Sequence, residues 1–223
     1  MVVEGGRRSS WPSGPVEEAV ALVLSQALPG RPEAWAVLRA HLLGVDGSPL
    51  VPAVQAAEVA GRPVGWVRGL LPRARMVARH AGPPPSLVAA VGVLEGGPVL
   101  TVEEASEVLL AAGVCAGPVH PGGVLRAAEV LGPACSAQLV DAGPGGDGPV
   151  VVAPAGRAAL ERVVMTAVVA AERHGDVVDL AEVAAAAGIP VVAARVVLER
   201  PAGWQVHEAG DGSWWAWRRA AGA

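Results

Sequence analysis

The sequence predicts a mainly α-helical fold of tandem helix-turn-helix and winged-helix units with short β-hairpin wings. Three observations lead there. Apolar residues recur at three- and four-residue spacing in runs that Gly and Pro cut at intervals. Two late stretches follow one order: helix, short strand, capped helix, helix, two strands. The 223 residues are 52% hydrophobic, enough to bury cores in one large domain or two to three small ones. With no Phe or Tyr, packing rests on Ala, Val, Leu and seven Trp.

Residues 1–14, polar and rich in Gly and Ser, read as a flexible N-terminus. Residues 15–82 read as a helix-turn-helix unit. Val16, Val20, Val23, Leu24 and Ala27 mark a first helix, which Pro29-Gly30 stops. Pro32–Leu43 is a second, with Gly44 as its stop. Asp46-Gly47-Ser48-Pro49 makes a turn before a short helix over Val51–Val59, with Val54, Ala57 and Val59 apolar. Gly61 breaks that helix, and another begins near Pro63; Pro72 is expected to end or kink it.

Pro83-Pro84-Pro85 favours a stiff extended linker and sets off residues 86–153. There the pattern gives a helix over Leu87–Leu94, a strand at Val99-Leu100, and a capping box of Thr101 with Glu104 that opens a helix to Ala112. A loop over Gly113–Gly123 leads to a helix over Val124–Leu131. Two strands, Ser136–Val140 and Val150–Ala153, flank the loop DAGPGGDGP, which reads as a wing. Residues 154–223 repeat that order: a helix to about Arg173, a strand at Val177-Val178, and a helix capped by Asp179. Gly188-Ile189-Pro190 then turns into a helix over Val191–Glu199. A hairpin of Trp204–His207 and Trp214–Trp217 closes at Gly210-Asp211-Gly212.

The net charge of −4 argues against a protein that coats nucleic acid with its whole surface. Its distribution is uneven. Residues 45–85 hold five Arg against two acids, whereas 86–153 hold one Arg, Arg126, against seven acids, among them Glu95, Glu103, Glu104, Glu107 and Glu129. An acidic unit of that kind repels a duplex and suits a protein contact or a spacer. No apolar run approaches the roughly 20 residues that cross a bilayer, and the start MVVEGGRRSS leads into no apolar signal region. A cytoplasmic protein without membrane contact is expected.

Residues 32–79 resemble region 4 of bacterial sigma-70 factors, the matching stretch being RPEAWAVLRAHLLGVDGSPLVPAVQAAEVAGRPVGWVRGLLPRAR, which starts at Arg31. In that family a helix and a "GL-D-G" turn precede a helix-turn-helix. The resemblance implies that AAEVAGRPVGWVRGLLPRAR supplies a first helix, a turn and a DNA recognition helix. It covers about a fifth of the chain; nothing matches sigma region 2, and Gly65, Gly69 and Pro72 stand where region 4 has good helix formers. The later units are similar to winged helices that follow such a segment in some actinobacterial regulatory proteins.

Arg62, Arg68, Arg73, Arg75 and Arg79 are the candidate nucleic-acid-binding residues, because the guanidinium fork fits phosphate oxygens and the guanine edge; Trp66 among them reads either as a contact to sugar or a base methyl or as an anchor of the small core. The other reading of these arginines is a solvated face or a patch for an acidic protein. Arg195, Arg218 and Arg219, with Arg200, are candidates for a second phosphate-contacting face, the other reading of this unit being a protein-binding winged helix; of Trp204, Trp214, Trp215 and Trp217, one or two are candidates for an exposed interaction patch and the others for the core. Catalytic chemistry is not expected. Cys115 and His120 lie in a Pro/Gly loop without an evident third partner, and His174, Asp176 and Asp179 read as a helix end, a turn and an N-cap. No cofactor, metal or small-molecule substrate is implied. The expected partner is double-stranded DNA, with a protein partner or homodimer also compatible; the alternative is a non-catalytic adaptor whose winged helices dock onto a partner enzyme or motor protein.

Overall fold

A computed structural model describes residues 11, 14–44, 51–97, 99–140, 150–199 and 204–218. Among these residues the chain is mainly helical, with ten helices and two three-stranded antiparallel sheets. The chain divides into two compact units. The first comprises residues 1–93 and 106–135, the second 94–105 and 136–223.

The first unit contains α1 (Val16–Ala27), α2 (Pro32–Leu43), α3 (Ala53–Val59), α4 (Val64–Ala81), most of α5 (Pro85–Gly96), the end of α6 (Val102–Ala111) and α7 (Pro121–Leu131). α4 packs on α1, α2, α3 and α7, so it sits against most of the unit's helices. Its buried stripe of Val67, Leu70, Ala74 and Ala78 meets a core that includes Val16, Val20, Leu24, Leu38 and Leu42. α7 approaches α2 so closely that a Cβ on Gly123 would lie 2.6 Å from the Leu43 carbonyl oxygen. Only glycine fits there. Arg126, on the same helix, donates to the carbonyl oxygens of His41 (2.8 Å) and Val51 (3.3 Å), tying the end of α2 to the segment that leads into α3. His41 is buried, with Nδ1 at 2.8 Å from the Val51 oxygen. Burial and the neighbouring Arg126 charge hold its pKa below the ordinary value of 6.5.

Four sequence expectations change in this unit. Trp11 is buried, and its indole donates to the Gly82 oxygen at 2.8 Å; the rest of the N-terminal segment assigned as flexible lies outside the described residues except Gly14. Val54 and Val59 are exposed, at 53% and 82%, because α3 docks through the smaller Ala56 and Ala57. Pro72 does not end α4: it lies on the solvent side, where water can satisfy the Arg68 carbonyl that proline leaves without its helical partner. The third proline of 83–85 starts α5, and Pro84 is buried. The Asp46–Pro49 turn lies outside the described residues.

The second unit carries both sheets. β1 (Val99–Thr101), β2 (Gln138–Val140) and β3 (Val150–Val152) are ordered β1-β3-β2; β4 (Val177–Asp179), β5 (Trp204–Glu208) and β6 (Trp214–Arg218) are ordered β4-β6-β5. Around them lie α8 (Pro154–His174), α9 (Leu180–Ala187) and α10 (Val191–Glu199). One core joins Val99, Val150 and Val152 to Val163, Ala167 and Ala171 of α8, Leu180 and Val183 of α9, and Leu198 of α10, with Trp204 and Ala216. Each first strand runs straight into a capped helix. Thr101 and Glu104 form the reciprocal capping box, N–H to carboxylate at 2.8 Å and N–H to hydroxyl at 3.1 Å, and Asp179 accepts from the Ala181 N–H. The loop between β2 and β3 lies outside the described residues.

Candidate nucleic-acid interface

The α3–α4 junction is set by backbone chemistry. Gly61 takes φ +59, a left-handed conformation that suits glycine, and the N–H groups of Gly61 and Arg62 return to the oxygens of Glu58 and Ala57 at 3.0 and 2.9 Å. This is a Schellman closure. Pro63 then stands at the N-cap of α4. The α9–α10 junction repeats the device: Gly188 at φ +69, with Gly188 and Ile189 donating to Ala185 and Ala184, and Pro190 before α10. The two junctions share the spacing Gly-x-Pro-Val-x-x-x-Arg, from Gly61 to Arg68 and from Gly188 to Arg195.

That shared arginine has two environments. Arg68, Arg73 and Arg79 are exposed on α4, Arg62 is exposed just before it, and Arg75 is half-buried. Arg195 is buried, 5% exposed; its Nε donates to Glu199 at 2.9 Å and its guanidinium lies 4.0 Å from the centre of the Trp214 ring. It fastens α10 to β6 and does not present a charge for phosphate, which corrects the expectation that it faces nucleic acid. Arg218 is exposed at the end of β6 away from Trp214, and its backbone N–H donates to the Asp176 oxygen at 3.0 Å. The structure does not gather Arg195 and Arg218 into one basic face; Arg200 and Arg219 lie outside the described residues.

On α4 the arginines do form a surface. At about 100° per residue, the side opposite the buried stripe runs through Gly65, Gly69, Pro72 and Met76, all exposed. Arg68, Arg75 and Arg79 follow one flank of that line, and Arg73 and His80 follow the other. Arg62, just before the helix, holds its guanidinium 5.7 Å from the half-buried Trp66 ring, so that indole belongs to the edge of the patch. Among the described residues none of the five arginines pairs with a carboxylate. A Cβ on Gly65 or Gly69 would meet nothing within 4 Å, so packing inside the fold does not require either glycine. The sequence spacing located the arginines. The division into two flanks around a side-chain-poor midline follows only once Pro72 is known to lie inside a continuous helix.

The outer face of the β4-β6-β5 sheet carries Val177, Trp215, Trp217, Gln205 and His207. The Trp217 indole donates to the Gln205 side-chain oxygen at 2.6 Å and the Trp215 indole to the Ser213 hydroxyl at 2.8 Å, with Trp215 38% exposed. Cys115 is buried, and burial with the nearby Glu17 charge pushes its thiol up to about 12, so it stays protonated and poorly nucleophilic at neutral pH. His120 serves as the N-cap of α7, with Nδ1 accepting from the Gly122 N–H. No single described helix is long and apolar enough to cross a membrane. Comparison with protein-family models, curated proteins and solved structures gives no significant match.

Proposed function

We propose that this chain is a non-enzymatic, duplex-DNA-binding regulatory protein that uses α3, its glycine turn and α4 as a sigma-region-4-like helix-turn-helix. The later runs, α5-β1-α6-α7-β2-β3 and α8-β4-α9-α10-β5-β6, act in this reading as accessory winged helices. The observation that carries it is the α4 surface: four exposed arginines and a half-buried fifth, without carboxylate partners among the described residues, on and just before the helix that follows a closed turn. Guanidinium groups so displayed suit phosphate contact, and a helix presented on a scaffold of other helices suits entry into the major groove. The test is a mobility shift with random-sequence duplex at low salt. Binding is expected, and Arg68→Glu combined with Arg73→Glu abolishes it. Absence of binding, or binding unchanged by the double reversal, overturns the proposal.

A second reading, the protein-docking adaptor, is favoured by the exposed Trp215 beside Trp217 and Val177 and by the withdrawal of Arg195 from solvent. It assigns the second unit to a protein partner. Trp215→Ala combined with Trp217→Ala then removes a co-purifying partner while leaving duplex binding intact; loss of duplex binding in that variant contradicts the division of labour.

A further inference from the structure

The line of α4 that faces away from the core has almost nothing with which to read a base. Distinguishing base pairs in the major groove requires hydrogen-bonding side chains, or a fitted apolar contact with the thymine methyl, at the centre of the inserted helix. Here the centre is Gly65, Gly69, Pro72 and Met76, whose side chains supply no donor and, in the Met76 thioether, one weak acceptor. The charged groups stand to either side: Arg68, Arg75 and Arg79 along one flank, Arg73 along the other, and Arg62 beyond the N-terminus next to Trp66. A helix lying in the major groove carries its midline to the base edges and its flanks to the phosphates of the two strands. The glycines further thin the midline, since space beyond their Cα atoms is open. The helix backbone can therefore approach the groove floor while arginines on both sides meet both strands.

We infer that α4 grips duplex DNA through the two phosphate rails without reading its sequence. This rests on the duplex-binding reading above and names its substrate class: double-stranded DNA of any sequence. The affinity of such a surface comes from counterion release, so it falls steeply with salt and responds equally, on every duplex, to loss of one arginine.

The test measures binding of the full chain to a set of duplexes of different sequence at fixed ionic strength, alongside selection from a random duplex library. Affinities are expected within about threefold of one another, as for a phosphate-dominated contact, and the selected pool stays unenriched. Arg68→Ala and Arg73→Ala each weaken all duplexes by the same factor and flatten the salt dependence by about one. A motif bound about a thousandfold or more above random duplex, with Arg68→Ala or Arg73→Ala relaxing selection at one base position, overturns the inference while leaving the duplex-binding reading in place. No duplex binding at low salt removes that reading itself, and the inference with it.

Discussion

At Arg126 one guanidinium fastens backbone from the end of α2 and from the approach to α3, and it does so beside a buried histidine. Because the folded-state pKa of His41 lies below 6.5, the unfolded chain takes up protons that the folded chain refuses as pH falls through that value. Stability from neutral His41 is therefore complete above about pH 6.5 and is lost on acidification. Denaturation midpoints measured from pH 7.5 to 5 are expected to fall, and His41→Gln, though less stable at pH 7.5, is expected to lose part of that slope. Arg195 gives a second prediction. Arg195→Ala, which removes the Glu199 pair and the Trp214 stacking partner, lowers unfolding stability by about 1–3 kcal/mol while duplex affinity stays unchanged; a selective loss of affinity contradicts its structural assignment. Neither role was legible in the sequence. Arg126 looked like one cation in an acidic stretch, and Arg195 read as a candidate for a second phosphate-contacting face, because spacing gives register on a helix and not what packs over it.

Elements were more legible than side-chain roles. The ends of α1, α2, α9 and α10 follow Gly and Pro positions, and both cap signals before α6 and α9 are made as the residue types imply. The differences have physical causes. Proline on the exposed side of α4 costs one hydrogen bond without ending the helix, and a short helix of small residues buries its alanines in preference to its valines. Gly123 tests the packing directly: Gly123→Ala forces a methyl group onto the Leu43 carbonyl and is expected to destabilise the chain by about 1–3 kcal/mol in denaturant titration. Gly65→Ala and Gly69→Ala have open space and sit within a helix, so each is expected to stabilise by about 0.5–1 kcal/mol. Destabilisation by the latter pair contradicts their place on a free surface.

On the scale of the whole chain, charge separates the stretches more sharply than fold does. Residues 45–85 are the net-basic stretch, and 86–153 carry most of the excess acid. A chain with a net charge of −4 that binds duplex DNA does so through a local surface, and α4 with its leading Arg62 is where exposed arginines without acidic partners among the described residues collect. The sequence placed those arginines; it did not say which other arginines the fold would withdraw. The salt dependence of duplex affinity for the unaltered chain and for Arg68→Ala with Arg73→Ala tests the α4 surface most directly. The slope of log K against log salt is expected near −4 for about four to five phosphate contacts and shallower by about two in the double variant. A slope that the double substitution leaves unchanged, or no binding at low salt, contradicts the assignment of α4 as the DNA-binding surface.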